Sequence, residues 1–261
     1  MTVGTSSARA LLRRDCLHPD ALPHWLVSPW FLTHWDHWVF PLEFGGRLLY
    51  VSTGGLVLFL PQAETGVVSV EGVTGDNKCD FRIERDHGIY HVDGTFEAQP
   101  VSVQIELSPG RIQVEGPAAY VRSEYAMVRQ GDAWTVSGMT GESESMYRVV
   151  LEKPGHVRLE GWRRGEDVDS TIRWDGDALR FEDGDDQFVL QPRGQALALS
   201  GRLAQEPAEL TFTLSDEDEL RVVGSTSEGK MDFRILDEGN GVSVKGRYYR
   251  WFVNYRVLLK S

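Results

Sequence analysis

Apolar and polar residues alternate in short runs along most of the chain. Within residues 101–107, Val, Ile and Leu alternate with Ser, Gln and Glu, and Pro109-Gly110 then leads into a second alternating run. A period of two places one face of a strand in a core and the other face in water. Gly, Asn, Asp and Pro between the runs are typical of tight reversals that join antiparallel strands. Each pair of runs is therefore predicted to be a β-hairpin.

A three-residue figure, an aliphatic residue followed by one other residue and glycine, recurs once in each hairpin. Its glycines at 72, 94, 116 and 138 are 22 residues apart. The figures are Val70-Glu-Gly72, Val92-Asp-Gly94, Val114-Glu-Gly116, Val136-Ser-Gly138, Leu159-Glu-Gly161, the looser Phe181-Glu-Asp-Gly184, Leu199-Ser-Gly201, Val222-Val-Gly224 and Val244-Lys-Gly246. The period predicts an all-β protein, an antiparallel meander of about nine 22-residue β-hairpin repeats. One wide barrel, two small barrels and one strongly coiled sheet all fit this pattern.

The glycine of each figure is predicted to be structural. Glycine inside a strand marks a bulge, a bend or a close approach of two backbones, and one such bend per hairpin would curl the sheet. A second layer of repetition supports the hairpins, because an aromatic, a basic and a β-branched residue occur together at Phe81-Arg82-Ile83, Tyr147-Arg148-Val149 and Phe233-Arg234-Ile235.

The N-terminal region differs from the repeats. Four of the eight tryptophans lie between residues 25 and 38, and Ser28-Pro29 is a good helix start. We predict that residues 1–45 form an arm with short helices and a Trp-rich cap, and that residues 46–261 form the β-repeat domain. A subdivision near residues 161–169 would give the two-barrel arrangement.

The Trp-rich segment supplies the candidate ligand-binding residues. It either closes one end of the sheet or lines a ligand cavity with Trp30, His34, Trp35, Asp36, His37 and Trp38. His34-Trp35-Asp36 has the spacing of the first two ligands of iron and 2-oxoglutarate oxygenases. His34 and His37 could share a metal with His24, His87 or His91, but local spacing places only two ligands and zinc needs three or four. No metal, cofactor or catalytic residue is therefore predicted.

Two further patterns have alternative interpretations. Asp175 and Asp177 with Asp183, Asp185 and Asp186 are either a calcium site or solvated hairpin tips. Residues 247–261 interleave arginine and aromatic residues, which suits either an RNA or glycan surface or a half-buried last strand that closes the sheet. The alternation in that segment favours the closing strand.

Composition narrows the classes of partner. The formal charge of −12 disfavours nucleic acid, whose backbone requires clustered Lys and Arg. Cys16 and Cys79 do not make a disulfide framework, no secretory signal pattern opens the chain, and no apolar stretch has transmembrane length. A cytoplasmic protein without a membrane span is the expectation.

The stretch Trp38-Val-Phe-Pro-Leu-Glu-Phe-Gly-Gly-Arg-Leu-Leu-Tyr50 resembles tandem lipocalin-like proteins, which are antiparallel meanders introduced by a Trp-rich segment. That resemblance implies a barrel that holds an apolar small molecule, as in some cyclases and isomerases of natural products. Membrane-occupation-and-recognition-nexus repeats are hairpins of similar length, but their Tyr, Gly and Trp positions differ from the Val-x-Gly figure.

Two functions follow from these patterns. The first is a non-enzymatic β-repeat protein that works through protein–protein contacts, either with a partner or with itself in an assembly. The alternative is a lipocalin-like barrel that binds an apolar small molecule. A cyclase or isomerase of a natural product falls within this alternative. No nucleotide loop, nucleophile elbow or zinc-spaced cysteine set favours an enzyme of another class.

Overall fold

The computed structural model describes residues 11, 12, 17, 39–52, 56–118, 121–163, 165–203, 205–216, 218–227 and 229–260. The secondary-structure elements of this part of the chain that span two residues or more are all β-strands. The strands are β1 (Val39–Phe44), β2 (Arg47–Ser52), β3 (Val57–Leu58), β4 (Thr65–Thr74), β5 (Asn77–Asp86), β6 (Ile89–Phe96), β7 (Gln99–Ser108), β8 (Arg111–Ala118), β9 (Val121–Gln130), β10 (Ala133–Thr140), β11 (Ser143–Lys153), β12 (His156–Arg163), β13 (Glu166–Asp175), β14 (Ala178–Asp183), β15 (Asp186–Arg193), β16 (Ala196–Leu203), β17 (Glu206–Asp216), β18 (Glu219–Thr226), β19 (Gly229–Asp237), β20 (Gly241–Tyr248) and β21 (Trp251–Lys260).

Strands β4 to β21 form one closed antiparallel barrel of 18 strands. Each strand pairs with the next along the chain, and β21 returns to pair with β4, for example through Tyr255 opposite Gly72. The nine hairpins of the predicted meander are confirmed, and so is the last strand that closes the sheet. Of the arrangements that the period left open, the protein adopts the single wide barrel. Residues 161–163 of β12 pair with residues 166–168 of β13.

Alternation places the apolar side chains inside the barrel and the polar side chains outside. Along β11, for example, Tyr147 and Val149 are buried and Arg148 between them is exposed. The inward side chains of the barrel and the apolar residues of β1–β3 form one hydrophobic cluster. Burial of this apolar area is the main favourable term for the fold.

A small sheet formed by β1, β2 and β3 packs within this core. It has no strand pairing with the barrel. Phe40 packs edge-on against Phe188 and Phe212 of the barrel wall, with ring centroids 5.7 and 6.4 Å apart. The Tyr255 hydroxyl accepts a hydrogen bond of 2.7 Å from the backbone N–H of Val57. The described part of the lumen therefore contains a packed sheet.

The tip of the β1–β2 hairpin lies at one end of the barrel. Arg47 forms an ion pair of 2.9 Å with Asp237 and donates a hydrogen bond to the Gly239 carbonyl, both at the β19–β20 connection. We name this the plug end. The opposite end carries the turn that follows each even-numbered strand of the barrel, from the β4–β5 turn to the β20–β21 turn.

The repeat glycines form a belt near that opposite end, which we name the glycine end. Gly138 has φ +148°, and a methyl group there would overlap the Glu124 carbonyl oxygen and the Cα of Tyr125. Only glycine fits such a backbone. Aromatic side chains oppose most of the belt: Tyr255 opposes Gly72, Phe81 opposes Gly94, Tyr125 opposes Gly138, Tyr147 opposes Gly161, Phe188 opposes Gly201 and Phe233 opposes Gly246.

Of the predicted arm, Leu11, Leu12 and Leu17 are described and buried, and the other residues before Val39 lie outside the described part of the chain. Residues 39–44 form β1, with Pro41 opposite Tyr50 of β2. The division of the chain at residue 45 stays a prediction. Within the ranges given above, no helix is long and apolar enough to cross a membrane.

Candidate binding surface

The six candidate ligand-binding residues, Trp30, His34, Trp35, Asp36, His37 and Trp38, lie outside the described residues. Of the histidines considered as further ligands, His24 also lies outside the described residues, whereas His87 and His91 are described. His87 is in the β5–β6 turn, where its Nδ1 is 2.6 Å from Asp86, and His91 is on β6. In the part of the chain that the structure covers, no three His, Cys, Asp or Glu residues are close enough to hold a metal ion.

The acidic residues considered as a calcium site are separated. Asp175 and Asp177 flank the β13–β14 turn at the plug end, whereas Asp183 and Asp185 flank the β14–β15 turn at the glycine end. Consecutive turns of a meander necessarily lie at opposite ends of its strands. The six residues of β14 keep the two groups roughly 20 Å apart. A shared calcium site is therefore wrong, and the solvated-tip interpretation fits.

Three of the glycine figures share a charge rule on the outer face of the barrel. Their middle residue is an outward acid, and it lies opposite an outward arginine that follows an inward aromatic on the neighbouring strand. Glu160 lies opposite Arg148, with 3.1 Å between their charged atoms. Asp93 lies opposite Arg82. Opposite charges at facing positions stabilise a sheet by a few tenths to about 1 kcal/mol.

Neighbouring outward positions extend this arrangement. Arg158 pairs with Asp169 at 3.0 Å, and Arg173 makes a two-pronged contact with Glu182 at 2.7 and 3.1 Å. We name the outer surface of β11–β14 the ion-paired face. Across the barrel closure, Glu71 accepts a hydrogen bond of 2.9 Å from Lys260, and this bond lowers the pKa of the Glu71 carboxyl.

The rule is reversed between β19 and β20. The middle residue of the last figure is Lys245, and it lies opposite Arg234. Arg234 in turn lies opposite Arg221 of β18, so three cations follow one another across three strands. Like charges at facing positions destabilise a sheet. Arg221 is compensated by Asp232 at 3.0 Å and Arg234 by Glu219 at 3.7 Å. Lys245 forms no ion pair with any described residue.

A groove of about 1060 Å³ covers this part of the outer face, at the glycine end of β18–β21 and β4. Its lining includes Val73, Val223, Lys230, Lys245, Arg247 and Phe252, and we name it the cationic groove. Asp232 also lines it, but both carboxylate oxygens of Asp232 contact Arg221, at 3.0 and 3.1 Å. Among the described residues, Lys230, Lys245 and Arg247 have no carboxylate partner. The groove is therefore positive on a protein whose net charge is −12.

Apolar side chains are exposed beside these cations. Phe252 is 62% exposed, and Val73 and Val223 on the two outer strands of the groove are each 39% exposed. The Arg247 guanidinium lies 4.7 Å from the centre of the Phe252 ring. An aromatic ring next to a cation offers both apolar area and charge, which is the composition of energetically important positions in protein interfaces.

The adjoining β20–β21 turn adds a second aromatic group. Arg250 stacks on Trp251 at 4.8 Å and on Tyr249 at 5.6 Å. The Trp251 ring covers Gly75 of the β4–β5 turn, and the Tyr249 ring covers Gly229. The two rings can pack at the rim of the groove because neither glycine has a side chain that would clash with them.

Sequence reasoning found part of this surface. The alternation in residues 247–261 predicts a half-buried last strand, and Phe252 and Asn254 lie on the exposed face of that strand. The groove itself was missed, although a signal was present. The middle residue of the figure is acidic at Glu71, Asp93, Glu115 and Glu160, but it is Val223 and Lys245 in the last two figures.

No family model matches the chain, and no curated protein or solved structure does either.

Proposed function

We propose that the protein is a non-enzymatic binding protein, and that the cationic groove is where it docks another protein. The observation that carries this proposal is Lys245, which forms no ion pair with a described residue and lies opposite Arg234, whereas Glu160, Asp93 and Glu71 of other figures each lie opposite an arginine. An uncompensated cluster of cations is unfavourable in the free protein. A partner that supplies negative charge relieves it.

The exposed apolar residues support the same function. Phe252, Val73 and Val223 provide apolar area that is exposed in the free protein and would be buried on contact with a partner, and all three line the groove. Specific interfaces combine an apolar centre with a charged rim in this way. The inward belt and the packed sheet of β1–β3 hold the groove strands rigidly, so little order has to be gained on binding.

Differential capture tests the proposal. Purified protein is immobilised as wild type, as Phe252→Asp and as Met146→Asp, and each is incubated with lysate of the source cells. Met146 is the matched control because it is 54% exposed on the outer face of β11, outside the groove. A protein partner should be retained in stoichiometric amount by wild type and Met146→Asp and should be lost with Phe252→Asp. Direct titration with that purified partner should give similar affinities for wild type and Met146→Asp and a much weaker affinity for Phe252→Asp.

Two results would overturn the proposal. One is retention of the same proteins by all three forms, or loss only with Met146→Asp. The other comes from native mass spectrometry of the purified protein. A monomer that keeps a small molecule until it is denatured would favour the lipocalin-like alternative, in which the Trp-rich segment lines a cavity.

A further inference from the structure

The groove also specifies the chemistry of its occupant. It contains three cations without carboxylate partners among the described residues, Lys230, Lys245 and Arg247. Apolar groups lie on both sides of them: Val223 on β18, and Phe252 and Val73 on β21 and β4. The order across the barrel wall is therefore apolar, cationic, apolar. A complementary ligand has the order apolar, acidic, apolar.

Strand geometry gives the length of that ligand. From β18 to β4 there are four strand spacings of about 4.8 Å, or roughly 19 Å. An extended chain advances about 3.3–3.6 Å per residue, so seven residues cover about 20 Å. Alternate residues of an extended segment point to the same side. The first, third, fifth and seventh side chains would therefore face the groove.

We propose that the partner inserts an extended acidic segment into the cationic groove, with carboxylates at its third and fifth positions and apolar side chains at its first and seventh. The carboxylate at the third position meets Lys230 of β19 and the one at the fifth meets Lys245 and Arg247 of β20, and the end residues meet Val223 on one side and Phe252 with Val73 on the other. This inference rests on the proposed function, since it assigns the part of the protein partner that enters the groove.

Protein is favoured over single-stranded nucleic acid as the occupant. Nucleic acid would match the cations and the aromatic rings, but its phosphates form a continuous line of charge. The groove instead ends on aliphatic Val223 and Val73. In addition, the net charge of −12 repels a long polyanion beyond the groove.

Fluorescence anisotropy with labelled peptides tests the inference. The probe is a seven-residue peptide with leucine first, glutamate third and fifth, phenylalanine seventh and serine elsewhere. The comparison peptide has glutamine in place of glutamate. At low salt the glutamate peptide should bind about tenfold or more tightly than the glutamine peptide. That advantage should shrink between about 0.05 and 0.5 M salt, because screening shortens the range of the charges.

Matched variants locate the binding. Lys245→Glu combined with Arg247→Glu should remove the preference for glutamate. Lys153→Glu combined with Arg193→Glu makes the same change in net charge at exposed positions of the plug end and should keep it. If the first variant does not fold, as judged by circular dichroism, Lys245→Gln with Arg247→Gln replaces it, and a smaller loss of the same preference is expected.

Three outcomes would contradict the inference. The two peptides could bind equally, the plug-end variant could lose binding as much as the groove variant, or a twelve-nucleotide oligouridine could bind more tightly than the glutamate peptide. If Phe252→Asp abolishes capture of a partner but the peptides do not bind differently, the acidic segment is wrong and the proposed function stands. If capture of the partner does not depend on Phe252, the proposed function is wrong, and the inference that rests on it is wrong as well.

Discussion

The ion-paired face and the cationic groove are built from the same repeat, yet they treat charge in opposite ways. On the ion-paired face, Glu160 lies opposite Arg148, and Arg158 and Arg173 also pair with nearby acids. In the groove, Lys245 occupies the place of Glu160, and Arg234, which lies opposite it, occupies the place of Arg148. The strands, the glycine belt and the inward aromatic residues are common to both. The difference therefore concerns the outer face only, and it shows that one barrel can keep most of its surface self-compensated while it leaves one part available to a partner.

Substitution in the glycine belt should have the largest effect and should affect both regions equally. Gly138 is on β10, which pairs with the first strand of the ion-paired face, and Gly246 is on β20 in the lining of the groove. Gly138→Ala and Gly246→Ala each add a methyl group that overlaps backbone atoms of the neighbouring strand, at a φ of +148° or +150°. We expect each to lower the free energy of unfolding by about 2–4 kcal/mol, measured by urea denaturation. A cost at Gly246 far smaller than at Gly138 would mean that the two regions do not share a backbone design.

High pH should also affect both regions through their common interior. Burial raises the pKa of three tyrosine hydroxyls whose residues lie opposite glycines of the belt, namely Tyr125, Tyr147 and Tyr255. Their contribution to stability is present below the unfolded value of about 10 and is lost as pH rises above it, because the unfolded chain releases these protons more readily. Tyrosinate absorbance from these residues should appear together with loss of the circular dichroism signal. Their ionisation near pH 10 with the fold intact would contradict the packed belt.

Reversal of one charge on the ion-paired face should have a smaller effect. Glu160→Lys creates there the like-charge arrangement that the groove has naturally, since Arg148 and Arg158 both lie near Glu160. We expect a loss of about 0.5–1 kcal/mol in the free energy of unfolding. High salt should reduce the loss, because these side chains are exposed. An unchanged free energy of unfolding would indicate that the facing opposite charges of the outer face do not stabilise the barrel.

The sequence predicted the part of the fold that the repeat determines. The spacing of Gly72, Gly94 and Gly116 indicated nine hairpins, and the alternation in residues 247–261 indicated the closing strand. These signals are local, because a strand and its turn are encoded within a few residues. The number of strands in one barrel was not predictable, since closure depends on the pairing of β21 with β4, whose residues are far apart in the chain.

The position of β1–β3 was also beyond local reasoning. Val39–Phe44 is apolar on both faces because it packs against the barrel wall through residues such as Phe40, and such a run does not reveal its neighbours. The candidate site from Trp30 to Trp38 lies outside the described residues and stays a prediction. The groove could have been found by comparison of Val223 and Lys245 with the acidic middle residues of earlier figures. That comparison needs the register of the strands to show that Lys245 lies opposite Arg234.

The most direct test of the account is Lys245→Glu, measured for both stability and capture. The substitution places an acid opposite Arg234, as Glu160 lies opposite Arg148. If the groove keeps an unfavourable charge arrangement for the sake of a partner, the free energy of unfolding should rise by about 0.2–1 kcal/mol while capture of the partner falls. Stability that stays constant or falls, or capture that survives, would contradict the claim that the unpaired cations of this groove serve binding.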